Sequence, residues 1–120
     1  MVDYKIWKEN IYNSIKDFSD KETQEIGWMG KDPNIVASFS EDVAMLYDSY
    51  CFDDDFWEEK HLSQFHFTNN ILKELQEFKT MLDNYYKEEK LKDLSHEEIL
   101  KDPNWDKVVN QAKKVIAIWE

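Results

Sequence analysis

The amino-acid sequence predicts an all-α, single-domain helical bundle of about five to six helices, two of them short. Three observations carry this expectation. Only two glycines and two prolines occur in 120 residues, while Lys, Glu, Leu and Ile are abundant. Apolar residues recur at three- and four-residue intervals rather than alternating. A 42% apolar content and a length suited to one domain supply a substantial single core.

Each element has readable ends. The first helix aligns Tyr4, Trp7, Ile11, Ile15 and Phe18 on one face, with Lys5, Lys8, Glu9, Lys16 and Asp17 elsewhere. Ser19 with Glu22 matches a capping box for a short second helix, which Gly27 is placed to stop before the irregular stretch Trp28 to Asn34. Ser40 is a good N-cap for a helix turning Val43, Leu46, Tyr47 and Tyr50 inward. The strongest periodicity follows: Ile71, Leu75, Phe78, Leu82 and Tyr85 keep one face over four turns, with Thr68 as cap and Lys73–Glu77 and Lys79–Asp83 as surface pairs. The charged run from Tyr86 to Asp93 reads as a connection. Ser95 and Glu98 form another capping box, and Asp102-Pro103 caps and opens a final helix with Trp105, Val108, Ala112, Val115 or Ile116, and Trp119 on one stripe. The expected core combines Trp7, Ile11, Leu46, Leu75, Phe78, Leu82, Trp105, Ala112 and Ile116. No repeat or low-complexity linker divides the chain.

Charge narrows the function classes. The net charge is −11, and all 15 basic residues are Lys. Phosphate recognition needs concentrated cations, for which Arg is best shaped, so no nucleic-acid partner is expected. No apolar run approaches a membrane span, and the first ten residues resemble neither a hydrophobic leader nor an Arg-rich transit peptide. These features, with a lone Cys51, lead us to expect a cytoplasmic protein with no membrane partner, monomeric when free. The charge is also segregated. Between Lys31 and Lys60 there are nine acids (Asp32, Glu41, Asp42, Asp48, Asp53, Asp54, Asp55, Glu58, Glu59) and no Lys, whereas the other 92 residues carry 17 acids and 15 Lys. Such a segment repels itself and calls for a reason.

Catalytic signatures are lacking. Glycines only at 27 and 30 preclude a phosphate loop, a dinucleotide fingerprint or a Gly-x-Ser-x-Gly elbow. Cys51 has acidic neighbours that suppress a thiolate, which makes it a small buried residue rather than a nucleophile. Glu58 and His61 form one Glu-x-x-His pair, but di-metal bundles need two, and Asp93 with His96 is a poor second. A calcium loop starting at Asp53 lacks the turn glycine and has Gln64 where a bidentate Glu belongs. A protein that is not an enzyme, with no cofactor and no metal, is expected. Within Tyr50 to His61, the aromatics Phe52, Phe56 and Trp57 interleave with five acids: they can anchor the turn to the core, supply apolar contact to a partner, or divide these tasks.

The stretches Asp42 to Tyr50 (DVAMLYDSY), Leu72 to Tyr86 (LKELQEFKTMLDNYY) and Asp102 to Trp119 (DPNWDKVVNQAKKVIAIW) resemble a family of small bacterial helical proteins. That family has an acidic Leu-Tyr-Asp-Asp segment and a closing Asp-Pro-x-Trp-x-x-Val-Val-x-x-Ala helix. Ser49 stands where its second Asp often lies, and the N-terminal helix is not covered. The family is associated with immunity proteins of contact-dependent inhibition and other polymorphic toxin systems. The resemblance implies a helical fold and an immunity role, with no catalytic residue. Together with the charge it leads to a cognate basic protein toxin, a nuclease domain, as partner; the alternatives are an acidic protein-binding or regulatory module with an unrelated basic partner, and a carboxylate metal-binding protein. Asp48, Asp53, Asp54, Asp55, Glu58 and Glu59 would meet its cations while Phe56 and Trp57 supply apolar contact.

Overall fold

A computed structural model describes residues 3–34, 37–52 and 55–119. Seven α-helices follow in order: α1 (Tyr4–Phe18), α2 (Lys21–Trp28), α3 (Phe39–Ala44), α4 (Glu59–Phe65), α5 (Asn69–Lys92), α6 (His96–Lys101) and α7 (Pro103–Ile118). Between α3 and α4 lie a π-helical turn, Met45–Ser49, and a 3-10 turn, Asp55–Trp57. No strand occurs among the described residues, and the fold is all-α. The helices outnumber the expected five to six because the acidic region contributes α4 beyond its turns.

The core forms where α7 lies along α5 and α1. Ile11 and Ile15 of α1, Leu75, Phe78 and Leu82 of α5, and Trp105, Ala112 and Val115 of α7 are completely enclosed. Leu46, Phe39, Phe52 and Phe56 close this core from the acidic side. Two expected core members sit at its edge instead. Trp7 is half-buried near the start of α1, and Val115 takes the enclosed position beside a half-buried Ile116.

Several helix ends follow the sequence. Thr68 Oγ1 accepts from the Ile71 amide, the Ser95–Glu98 capping box closes in both directions, and Asp102 caps α7 with Pro103 at its first position. Four readings are corrected. Asp20, not Ser19, caps α2: its carboxylate accepts from the Thr23 amide and hydroxyl, at 3.2 and 2.8 Å. Ser19 still has helical backbone and turns its hydroxyl back to the Lys16 carbonyl, so it ends α1 rather than opening α2. Ser38, two residues before Ser40, caps α3 through the Glu41 amide. Gly27 stays buried inside α2, and Gly30, at φ +68°, supplies the left-handed turn. Finally, α5 continues through 86–92 to a left-handed Asp93. Nothing in that run breaks a helix, and Lys90 and Lys92 suit its C-terminal dipole. Its periodicity vanishes because the last turns project beyond the core, leaving Leu91 88% exposed.

Three polar residues brace the interior. Gln24 donates to the Asp17 and Phe18 carbonyls and accepts from the Trp105 indole at 2.9 Å. Gln111 donates to both the carbonyl and the carboxylate of buried Glu74. His96 Nε2 accepts from the Phe39 amide, leaving Nδ1–H to donate to the Trp28 carbonyl at 3.0 Å. One imidazole thus ties α6 to the end of α2 and the beginning of α3. No described helix is long and apolar enough to cross a membrane.

Candidate functional site

The acidic segment is attached from within by alternating apolar residues. Phe39 and Val43 of α3, Leu46 of the π-helical turn, Phe52 and Phe56 face the core, while Glu41, Asp48, Asp55, Glu58 and Glu59 face outward. The π-helical turn arises where the Tyr50 amide bonds to the Met45 carbonyl and the Phe52 amide reaches back to Leu46. Cys51, at φ +56°, reverses the chain there and directs Phe52 inward. Its thiol contacts the Asp48 carbonyl at 3.7 Å, and the residue is half-buried rather than enclosed.

Two indoles fasten this reversal. Trp7 donates to the Tyr50 carbonyl and Trp57 to the Phe52 carbonyl, both at 2.6 Å. Phe56 contacts the rings of Trp7, Phe52, Trp57, Phe65 and Phe67, with centroids 4.9 to 6.3 Å apart. Such an aromatic cluster stabilises the turn beyond area burial alone. Phe56 is therefore corrected from a partner contact to an anchor, since it is 0% exposed. Trp57 is half-buried, with its polar atom engaged inside and part of its ring at the surface. Asp53 and Asp54 lie outside the described residues.

The carboxylates differ in environment. Glu58 precedes α4 without making a side-chain cap and sits 3.3 Å from Lys60, an exposed pair of little energetic weight. Asp42 is half-buried and accepts from the Trp28 indole at 2.7 Å. Burial raises its pKa, the Trp28 hydrogen bond opposes this, and the negative charge of Asp17 adds to the rise. Asp17 is itself raised by burial and by Asp20. Both line a small hollow of about 220 Å³ with Asn13 and Met45. Asp42 thus belongs to the inner layer of the acidic region and carries structure as well as charge.

Glu58 and His61 do not converge. His61 Nδ1 meets the Tyr4 hydroxyl at 3.0 Å, and its ring lies edge-on to Trp7, while Glu58 faces Lys60. Both ring nitrogens of His96 are engaged by backbone groups, the Phe39 amide and the Trp28 carbonyl. Among the described residues no three potential metal ligands gather.

The fold also creates a cleft of about 410 Å³ between the start of α1 and the acidic turn, with Asp3, Ile6 and Trp7 on one side and Tyr50, Cys51 and Asp55 on the other. Sequence periodicity could not reveal it, because it joins residues nearly fifty positions apart and treats Trp7 only as core. The exposed Ile6, out of register with the buried stripe of α1, was the available signal. No protein-family model, curated protein or solved structure matches the chain.

Proposed function

We propose that this protein is an immunity-type inhibitor that binds one basic protein toxin, most simply a nuclease domain, and occludes its cationic surface. The observation that carries the reading is the division within residues 39–59: apolar side chains secure the segment from inside while Asp48, Asp55, Glu58 and Glu59 remain outward, in a stretch without Lys. Carboxylates held on a firm base can stand where phosphates would lie in a basic cleft, accelerating encounter and excluding substrate. The resemblance of the sequence to a family of small bacterial helical proteins associated with immunity proteins supports the same role. Trp57 would contribute its exposed ring edge. An acidic regulatory module with an unrelated basic partner would use the same surface.

The test is co-expression with the protein encoded immediately upstream, followed by binding kinetics at two ionic strengths. Growth rescue and a one-to-one complex are expected. Neutralising Asp48, Asp55, Glu58 and Glu59 together should slow association and flatten its salt dependence, whereas Trp57→Ala should mainly hasten dissociation. A complex indifferent to salt and to these changes would refute the acidic-surface mechanism. A complex without rescue would favour the regulatory module.

A further inference from the structure

The cleft beside the acidic turn has a chemistry of its own. Its apolar lining is unusual for a charged region: Ile6 is 54% exposed, and the Trp7 indole and Cys51 lie beside it. The Trp7 N–H is already engaged by Tyr50 and its ring is flanked by Tyr4, Phe56, His61 and Phe65, so what it offers a ligand is the part of the ring left bare in the cleft rather than a donor. Asp3 stands on the α1 wall and Asp55 on the opposite one; no Lys lines the space, and the one basic side chain that does, His61, is engaged through Nδ1 by the Tyr4 hydroxyl. Among the described residues, neither carboxylate is paired with a Lys. Asp3 accepts the Ile6 amide through one oxygen, which leaves further acceptor capacity.

We propose that this cleft receives a single arginine side chain of the partner, an assignment that rests on the acidic-surface reading above and makes it specific. Arginine fits on three counts. Its alkyl stem can cover Ile6, its planar cation can lie against Trp7, and its fork of donors can reach carboxylates on both walls. A lysine would meet the charge but not the planar contact. The volume lies in the lower part of the range typical of small-ligand sites, suiting one long side chain rather than an inserted helix. The cleft therefore acts as an orienting socket, while the outer acids attract the partner without fixing its pose.

Solution NMR of the full chain tests this with three blocked tripeptides, Gly-Arg-Gly, Gly-Lys-Gly and Gly-citrulline-Gly, and with hexalysine as a probe of the outer acids. The arginine peptide should shift Ile6, Trp7 and Cys51 signals saturably, and bind about tenfold more tightly than the uncharged citrulline peptide. The lysine peptide should bind less tightly than the arginine peptide. Ile6→Lys, at an exposed position, and Asp55→Asn should each weaken the arginine response while leaving the helical spectrum unchanged. Equal binding of arginine and citrulline would overturn the socket. So would an arginine peptide that leaves the cleft unmoved while hexalysine shifts Asp48, Glu58 and Glu59, a result that keeps the acidic surface. Saturable arginine binding in the cleft, with no growth rescue and no salt-dependent complex in the co-expression experiment, would retain the socket and remove the inhibitor reading.

Discussion

Phe56→Ala tests whether the acidic turn is anchored as described. The side chain is 0% exposed and surrounded by five aromatic rings. Burial of roughly 150 to 200 Å² at about 25 cal/mol per Å² corresponds to an upper value of about 4 to 5 kcal/mol. Measured Phe→Ala changes in cores span about 3 to 5 kcal/mol. The five neighbours belong to α1, α4, the turn itself and the α4–α5 connection, so the cavity cannot close by moving one of them. We therefore expect the upper half of that range, against a total stability of about 5 to 15 kcal/mol for a domain of this kind. The assay is urea unfolding followed by circular dichroism, with hydrogen exchange separating global unfolding from local release of the turn. Asp55→Asn is the surface control and should stay within about 0.5 kcal/mol. A loss below about 1 kcal/mol for Phe56→Ala, with unchanged protection of the turn, would refute the anchoring.

Gln24→Leu should destabilise by about 1 to 3 kcal/mol for each buried group left unpaired, the Trp105 indole N–H first among them, and Trp fluorescence during urea unfolding would report it. Leu82→Ala, at the enclosed centre of α5, should cost about 2 to 5 kcal/mol by the same assay. Asp42 gives a pH signature. Its folded pKa is raised above the ordinary 3.8, so the folded state holds the proton more tightly, and this contribution to stability is full below 3.8 and lost as pH rises through the raised value. Asp42→Asn, which keeps an acceptor for Trp28, should therefore stabilise the protein at neutral pH and lose that advantage in acid. Equal urea midpoint differences at both pH values would contradict this.

Local chemistry determined what the sequence made legible. Thr68, the Ser95–Glu98 box and Asp102-Pro103 could be placed because each cap has one strong candidate followed by unbroken helix formers. Where another residue able to cap lies within two positions of the expected one, as Asp20 after Ser19 and Ser38 before Ser40, the cap is decided by which backbone leaves the helical region, and a residue list does not specify that. The final turns of α5 were hidden for the opposite reason: they bury too little for periodicity to mark them. Within the candidate site, outward acids could be inferred from hydration alone. The inward turn of Phe56 and the placing of Asp3 and Asp55 along one cleft depend on how α1 and α4 pack, a long-range consequence of the whole core.

The inside–outside division of residues 39–59 also bears on how such a protein could change allegiance. Its foothold depends on Phe39, Val43, Leu46, Phe52 and Phe56, none of which reaches solvent appreciably. The outward positions 48, 55, 58 and 59 carry little of that foothold, so substitutions there should usually alter stability by no more than about 0.5 kcal/mol. Recognition can then diversify on a fixed platform, with new partners explored one surface residue at a time and few folding casualties. A display library randomised at these four positions and sorted for protease resistance should keep most of its members, whereas one randomised at positions 39, 46, 52 and 56 should keep few.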